Sequence, residues 1–177
     1  MKWKVDNAHT LVQFSAKHMM VSKVRGTFDR MKVEVEYDDQ HPEDTRVQVE
    51  IEAASVNTRF EMRDKHLRSA DFFDVANHPI IRYISKRVEL IDEKHARLYG
   101  DLTVRGVTQE IILKVESPGI TRTPWGTVYA GFKARTKVNR KKWNLNWNQV
   151  VEAGAVMVGD EVTIDVELGL TAEQEPA

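Results

Sequence analysis

His9, His18 and His66, with Asp64 close to the last, are the side chains of this 177-residue chain best suited to ligate a metal or move a proton near neutral pH. Their spacing does not favour either role. None of the six histidines stands four residues from another, so no helical pair of zinc ligands can form from local sequence. Ser69 falls between His66 and Asp71, the residue types of a hydrolytic triad, but the chain has no Gly-x-Ser-x-Gly elbow. Cysteine is absent, which removes disulfides, thiolate nucleophiles and cysteine-ligated zinc or iron–sulfur centres. Gly100 and Gly106 lack the third glycine and following helix of a dinucleotide loop, and Arg105-Gly106 reads as a hairpin turn. We therefore assign no catalytic residue, metal site or cofactor. Arg63, Asp64 and His66 read as a hydrogen-bonded network that fixes a loop.

The elements that must position these residues are strands. Residues 10–18 place Val12, Phe14 and Ala16 on one face, and Gln13, Ser15 and Lys17 on the other. The same period of two runs through 31–37, 46–52, 80–85, 87–90, 97–104, 110–115, 127–138 and 161–170. Gly, Pro, Asp or Asn punctuate these runs, as at Ser117-Pro118-Gly119 and Thr123-Pro124-Trp125-Gly126, and read as hairpin turns. Residues 58–75 and 142–153 break the rhythm and read as short helices or loops that cover the ends. Trp143 and Trp147 would then share a helical face as a plug, a gate or a simple anchor. No linker composition interrupts residues 1–170, which read as one domain, while 171–177 read as a disordered tail.

An all-β chain of this size removes its sheet edges by closing into a barrel or pairing as a sandwich, and its length favours the barrel. About eight strands in an up-and-down antiparallel barrel enclose an interior on the order of 25 Å long, either filled by side chains or holding one ligand. The inward parity selects Phe14, Ala16 and His18 on the first strand, Val33 and Val35 on the next, then Val49 and Ile51. Further round it selects Ile81, Tyr83, Leu102, Leu113, Phe132, Ala134 and Ile164, with Trp143 added from the covering segment. Packing alone accounts for this pattern, so periodicity leaves a filled barrel as the simpler reading and a tunnel as the alternative. His18 would sit at the barrel mouth, as a donor to a ligand head group or as a satisfied core histidine.

Charge narrows the partners. Lysine and arginine total 26 against 27 acidic residues, for a net charge of −1, and no uncompensated basic surface for nucleic acid is evident. The segment starting Met1-Lys-Trp-Lys-Val-Asp6 has no apolar signal core, and the expectation is a cytoplasmic protein.

Four segments in order resemble the YceI-like family. They are His9-Thr-Leu-Val-Gln-Phe-Ser-Ala-Lys-His18 with Val24-Arg-Gly-Thr-Phe28, then Ser55-Val-Asn-Thr58 with Arg63-Asp-Lys-His-Leu-Arg-Ser-Ala-Asp-Phe-Phe-Asp74. His78-Pro79 with Tyr83-Ile-Ser85, and Gly100-Asp-Leu-Thr-Val-Arg-Gly-Val-Thr108, complete the set, and Val158-Gly-Asp-Glu-Val-Thr-Ile164 extends it across nearly the whole chain. One loop departs from the pattern: Arg140-Lys-Lys-Trp-Asn144 stands where the family often has Arg, an acid, an aromatic and Gly. The resemblance implies a lipocalin-like barrel that binds a polyisoprenoid or related lipid. The inward residues become lipid-binding positions, and the expected function is non-catalytic binding, storage or transport of a polyprenyl chain or isoprenoid quinone. Acid–base or metal chemistry on a bound isoprenoid is the alternative, and a protein-interaction module a third. A homodimer, and transient membrane contact for lipid exchange, are further partner expectations.

Overall fold

The computed structural model describes residues 1–149 and 157–173. Eleven strands form one antiparallel sheet: β1 (Lys4–Val5), β2 (Leu11–His18), β3 (Ser22–Phe28), β4 (Met31–Glu36), β5 (Arg46–Glu52), β6 (Val56–Asn57), β7 (Ile80–Leu90), β8 (His95–Val104), β9 (Val107–Arg122), β10 (Thr127–Asn139) and β11 (Val158–Glu173). Among the described residues a single α-helix, α1 (Glu61–Arg68), lies between β6 and β7. The order is β4-β5-β7-β8-β9-β10-β11-β2-β3-β6, with β1 paired to β11. This is an up-and-down meander curled into a lipocalin-like barrel, in which the last strand returns to pair with β2.

The ladder breaks at one seam, between β3 and β4, and side chains and turns cover it. At its turn end Asp29 N donates to Ser55 O (3.1 Å) and Glu52 N to Arg30 O (3.0 Å). At the other end Trp3 packs edge-on against Tyr37 (5.4 Å between centroids), and Tyr37 against Phe132 (5.3 Å).

Alternation identified β5 with its full bounds because Val47, Val49 and Ile51 are all apolar between polar neighbours. Three strands lay outside that pattern. β1 and β6 are two residues long, too short to show a period. In β3 the inward position between Val24 and Phe28 is Gly26, whose bare Cα accommodates the ring of Phe14.

Two expected breaks are absent. The runs 80–85 and 87–90 are one strand, β7, with a register shift between Ser85 and Arg87. Ser117-Pro118-Gly119 is not a hairpin turn but an irregularity inside β9, opposite Gly131–Lys133 of β10, with Gly119 at φ 122°. A proline without an amide donor is tolerated at such a bulge, where the ladder is already interrupted. The Arg105-Gly106 turn is as expected, with both residues at positive φ (51° and 73°), the conformation of a type I′ hairpin turn.

The expected covering segments divide. Within 58–75 the helix is α1, and Leu67, Phe73 and Val75 beyond or on it pack onto the core. Within 142–153 a 3-10 turn (Arg140–Trp143) ends at Asn144, which adopts φ 60°, and no helix continues to Gln149. Trp143 and Trp147 therefore share no helical face, and residues 150–153 lie outside the described residues. β11 runs past Leu170 to Glu173, pairing Thr171 with Lys4, so only 174–177 of the expected tail fall outside the described residues. No helix among the described residues is long and apolar enough to cross a membrane.

Candidate functional site

Alternation aims every second side chain of β5, β8, β9 and β11 into the barrel, and their inward sets enclose a cavity of about 200 Å³. Its walls include Val47, Val49 and Ile51; Leu98 and Leu102; Ile111, Leu113 and Val115; and Ile164, Val166, Leu168 and Leu170. Beyond one end a packed floor shuts the barrel. Phe28 packs between Phe14, whose ring is tilted to it (5.5 Å between centroids), and Phe73, which meets it edge-on (5.7 Å), and Trp143, 2% exposed, donates from Nε1 to Leu102 O at 2.9 Å. Towards the other end the lining reaches Tyr37, Pro42, Thr45, Leu90 and Ala96, where Leu90 is 48% exposed.

Of the 23 lining residues, three carry a polar side-chain atom, Tyr37, Thr45 and Tyr83, and none is charged. Thr45 is satisfied within its own loop, donating from Oγ1 to Pro42 O (2.7 Å). Burial, with Asp39 and Asp38 nearby, raises the Tyr37 phenol above its ordinary pKa. Burial first, and Asp101 second, pushes the Tyr83 phenol much further up, so it stays protonated throughout the physiological range.

Nine of the residues selected from sequence line this cavity: Val35, Val49, Ile51, Tyr83, Leu102, Leu113, Phe132, Ala134 and Ile164. Six do not. Phe14, Ile81 and Trp143 belong to the packed core. Ala16, His18 and Val33 are half-buried on β2 and β4, outside the lining. Among lining residues not selected, Val88 and Leu90 follow the β7 irregularity, which resets the inward parity. Tyr37 continues the alternation of 31–37 one residue past β4, and Pro42 and Thr45 come from the β4–β5 connection, which has no period to read.

The polar residues with chemical potential are dispersed. Arg63 and Asp64 converge on Thr58: Asp64 Oδ1 accepts from Thr58 N (2.9 Å) and Oγ1 (2.5 Å), and Arg63 donates to Thr58 Oγ1 (2.7 Å) and O (2.8 Å). His66 stands apart from that network, against expectation. Its Nε2 lies 2.9 Å from Asp71 Oδ2, and its ring meets Trp147 (4.6 Å) and Phe72 (5.1 Å) edge-on. The Ser69 hydroxyl donates to His66 O (2.6 Å), a turn contact and not a nucleophile–base pair. His9 pairs with Asp6 (2.7 Å). Among the described residues the grouping that could share an ion is His41, Glu43 and Asp44, all exposed on the β4–β5 connection.

The departing loop is structural. Arg140, 4% exposed, donates from Nε to Gly159 O (2.9 Å) and from Nη1 to Leu145 O, tying the 3-10 turn to β11. Asn144 takes the left-handed conformation there, which asparagine tolerates better than most side chains.

A curled antiparallel meander around an uncharged, almost wholly apolar lining defines the chain as a lipocalin-like β-barrel. The YceI-like domain matches residues 3–170, and the chain belongs to that family. A UPF0312 protein of Staphylococcus aureus (strain USA300) is 37% identical over 161 residues, covering 90% of this chain and 91% of the relative. Among solved structures, the YceI protein of Campylobacter jejuni superposes with a TM-score of 0.75 at 26% identity, over 90% of both chains. BcnA of Burkholderia cenocepacia shares the fold at a TM-score of 0.80 and 21% identity, covering 94% of this chain and 99% of its own. A polyisoprenoid-binding domain from Saccharophagus degradans does so at 0.68 and 15%, over 98% of each.

Proposed function

We propose that this protein binds one long-chain isoprenoid lipid in its barrel, as a non-catalytic carrier or store. The observation that carries the reading is the wall itself: a lining with three polar side chains in 23 and no charge suits a hydrocarbon and little else. Affinity would come from apolar burial, at roughly 25 cal/mol per Å², a term that fixes no direction and tolerates variation in chain length. The solved Saccharophagus degradans domain, described as polyisoprenoid-binding, supports the same reading by likeness of fold.

The cavity of about 200 Å³ is smaller than the roughly 300–1,000 Å³ of common ligand pockets. A long chain would therefore enter by parting Val, Leu and Ile side chains, whose contacts it replaces with its own. Titrating delipidated protein with a polyprenol tests the reading. Saturable uptake is expected in the native chain and its loss in Val49→Trp, whose indole would fill the lumen while circular dichroism stays unchanged. Equal uptake by both proteins would contradict it.

A further inference from the structure

Between Leu11 and Phe28 the chain carries Lys17, Lys23 and Arg25 and no acidic residue, a local excess that the balanced total of 26 basic and 27 acidic side chains conceals. This stretch is the β2–β3 hairpin. Lys17 stands directly opposite Lys23, and Arg25 opposite Ser15, so the three cations share the face turned away from that of Phe14. All three are exposed, and none forms an ion pair among the described residues. On the neighbouring strand β11, Asp160 is taken by Lys141 (3.4 Å) and Glu161 by Lys137 (3.9 Å). Like charges set opposite one another on a sheet are locally unfavourable.

The hairpin tip breaks a second local rule. Val21 N donates to His18 O (3.3 Å), closing a turn whose central residues, Met19 and Met20, have φ 55° and 63°. Asn-Gly suits such a turn, and most other side chains are strained in it. Met19 is nevertheless 40% exposed, Met20 50% and Val21 89%, so three apolar side chains project towards solvent. A conformational cost with little packing in return points to a role outside the chain. An apolar tip behind a cationic collar fits an anionic bilayer, whose interface takes up methionine and valine while lysine and arginine meet phosphate groups. A nucleic acid would engage the cations and leave the tip in water.

We propose that the β2–β3 hairpin docks this protein on an anionic lipid bilayer, with Met19, Met20 and Val21 inserted into the interface. Asp38, Asp39, Glu43 and Asp44 lie at the opposite end of the barrel, on the connection whose Pro42 and Thr45 line the cavity. An anionic surface therefore attracts the hairpin end and repels the other, which fixes the orientation of the docked barrel. The docking surface lies outside the cavity, and the inference does not depend on what the barrel holds.

Flotation of the full chain with phosphatidylcholine vesicles, and with vesicles that also contain phosphatidylglycerol, tests the proposal. Native protein should float with the anionic vesicles, and less so as salt is raised. Lys17→Gln with Lys23→Gln should lower the vesicle affinity roughly 25-fold, about fivefold per cation. Met19→Asn with Met20→Gly gives the turn the residues it prefers, so its melting temperature should hold or rise while vesicle affinity falls about tenfold. Val49→Trp, which fills the barrel, should float as native protein does. The chain has no cysteine, so an environment-sensitive dye on Val21→Cys reports a single site. Its emission should shift to the blue on anionic vesicles, and the same dye on Glu93→Cys, in the β7–β8 turn, should not shift. Undiminished flotation of either double variant, flotation lost in Val49→Trp with its fold intact, or a shift at Glu93 without one at Val21 would overturn the inference. So would native protein that binds duplex DNA and no anionic vesicle.

Discussion

The ring of Phe14 lies where a side chain on Gly26 would begin: a β-carbon there would stand 2.4 Å from Cζ of Phe14 and 2.9 Å from Cγ2 of Thr58. Gly26→Ala should therefore cost about 1–3 kcal/mol, the range of overpacked cores, measured as a lowered urea midpoint with unchanged slope. Thr58 is also the point on which Arg63 and Asp64 converge, and Asp64 is 5% exposed. Asp64→Ala removes a buried acceptor and strands the Thr58 amide and hydroxyl. Hydrogen bonds to a charged group contribute about 1.5–3 kcal/mol each, so a loss of at least 3 kcal/mol is expected in the same titration. His66→Ala should cost less, because the Asp71 contact it loses is solvent-exposed.

At the scale of elements, strand identity was legible wherever one face is wet and the other dry. β5 and β10 follow their alternation almost to the residue; where the β9–β10 ladder shifts register between Gly131 and Lys133 the extra residue lies on β9, so β10 keeps its period. Pro118-Gly119 misleads because turn chemistry is local, whereas β10 holds β9 extended past that dipeptide, pairing Lys133 with Glu116 on one side and Gly131 with Gly119 on the other. The candidate site divides in the same way. Inward parity could find Val49, Leu113 and Ile164, but it could not separate hollow barrel from filled, since Ile81 and Val49 obey one pattern. What separates them is the floor, where Phe28, Phe73 and Trp143 meet from distant parts of the chain. Trp143→Ala should destabilise by about 3–5 kcal/mol in chemical denaturation, as for other buried aromatics. The Arg105 guanidinium donates to Ala70 O (2.6 Å) and Phe72 O (2.7 Å), fastening the segment after α1 to the β8–β9 turn. In Arg105→Ala, amide exchange should quicken around residues 69–75 while the β8–β9 ladder keeps its protection.

As a whole molecule, the barrel couples stability to its contents. A ligand that binds only the folded chain stabilises it by RT ln(1 + [L]/Kd), about 2.7 kcal/mol at a hundredfold excess over Kd. Delipidated protein should therefore melt lower than protein reloaded with its lipid, and Val49→Trp should show no such difference. The central claim is that one isoprenoid lipid occupies the apolar cavity. Native mass spectrometry of the protein purified without detergent, followed by solvent extraction and identification of any bound species, addresses it most directly. The account predicts a complex of one chain with one neutral long-chain isoprenoid. Protein that emerges empty, and that takes up no polyprenyl or prenylquinone species on incubation, would contradict it.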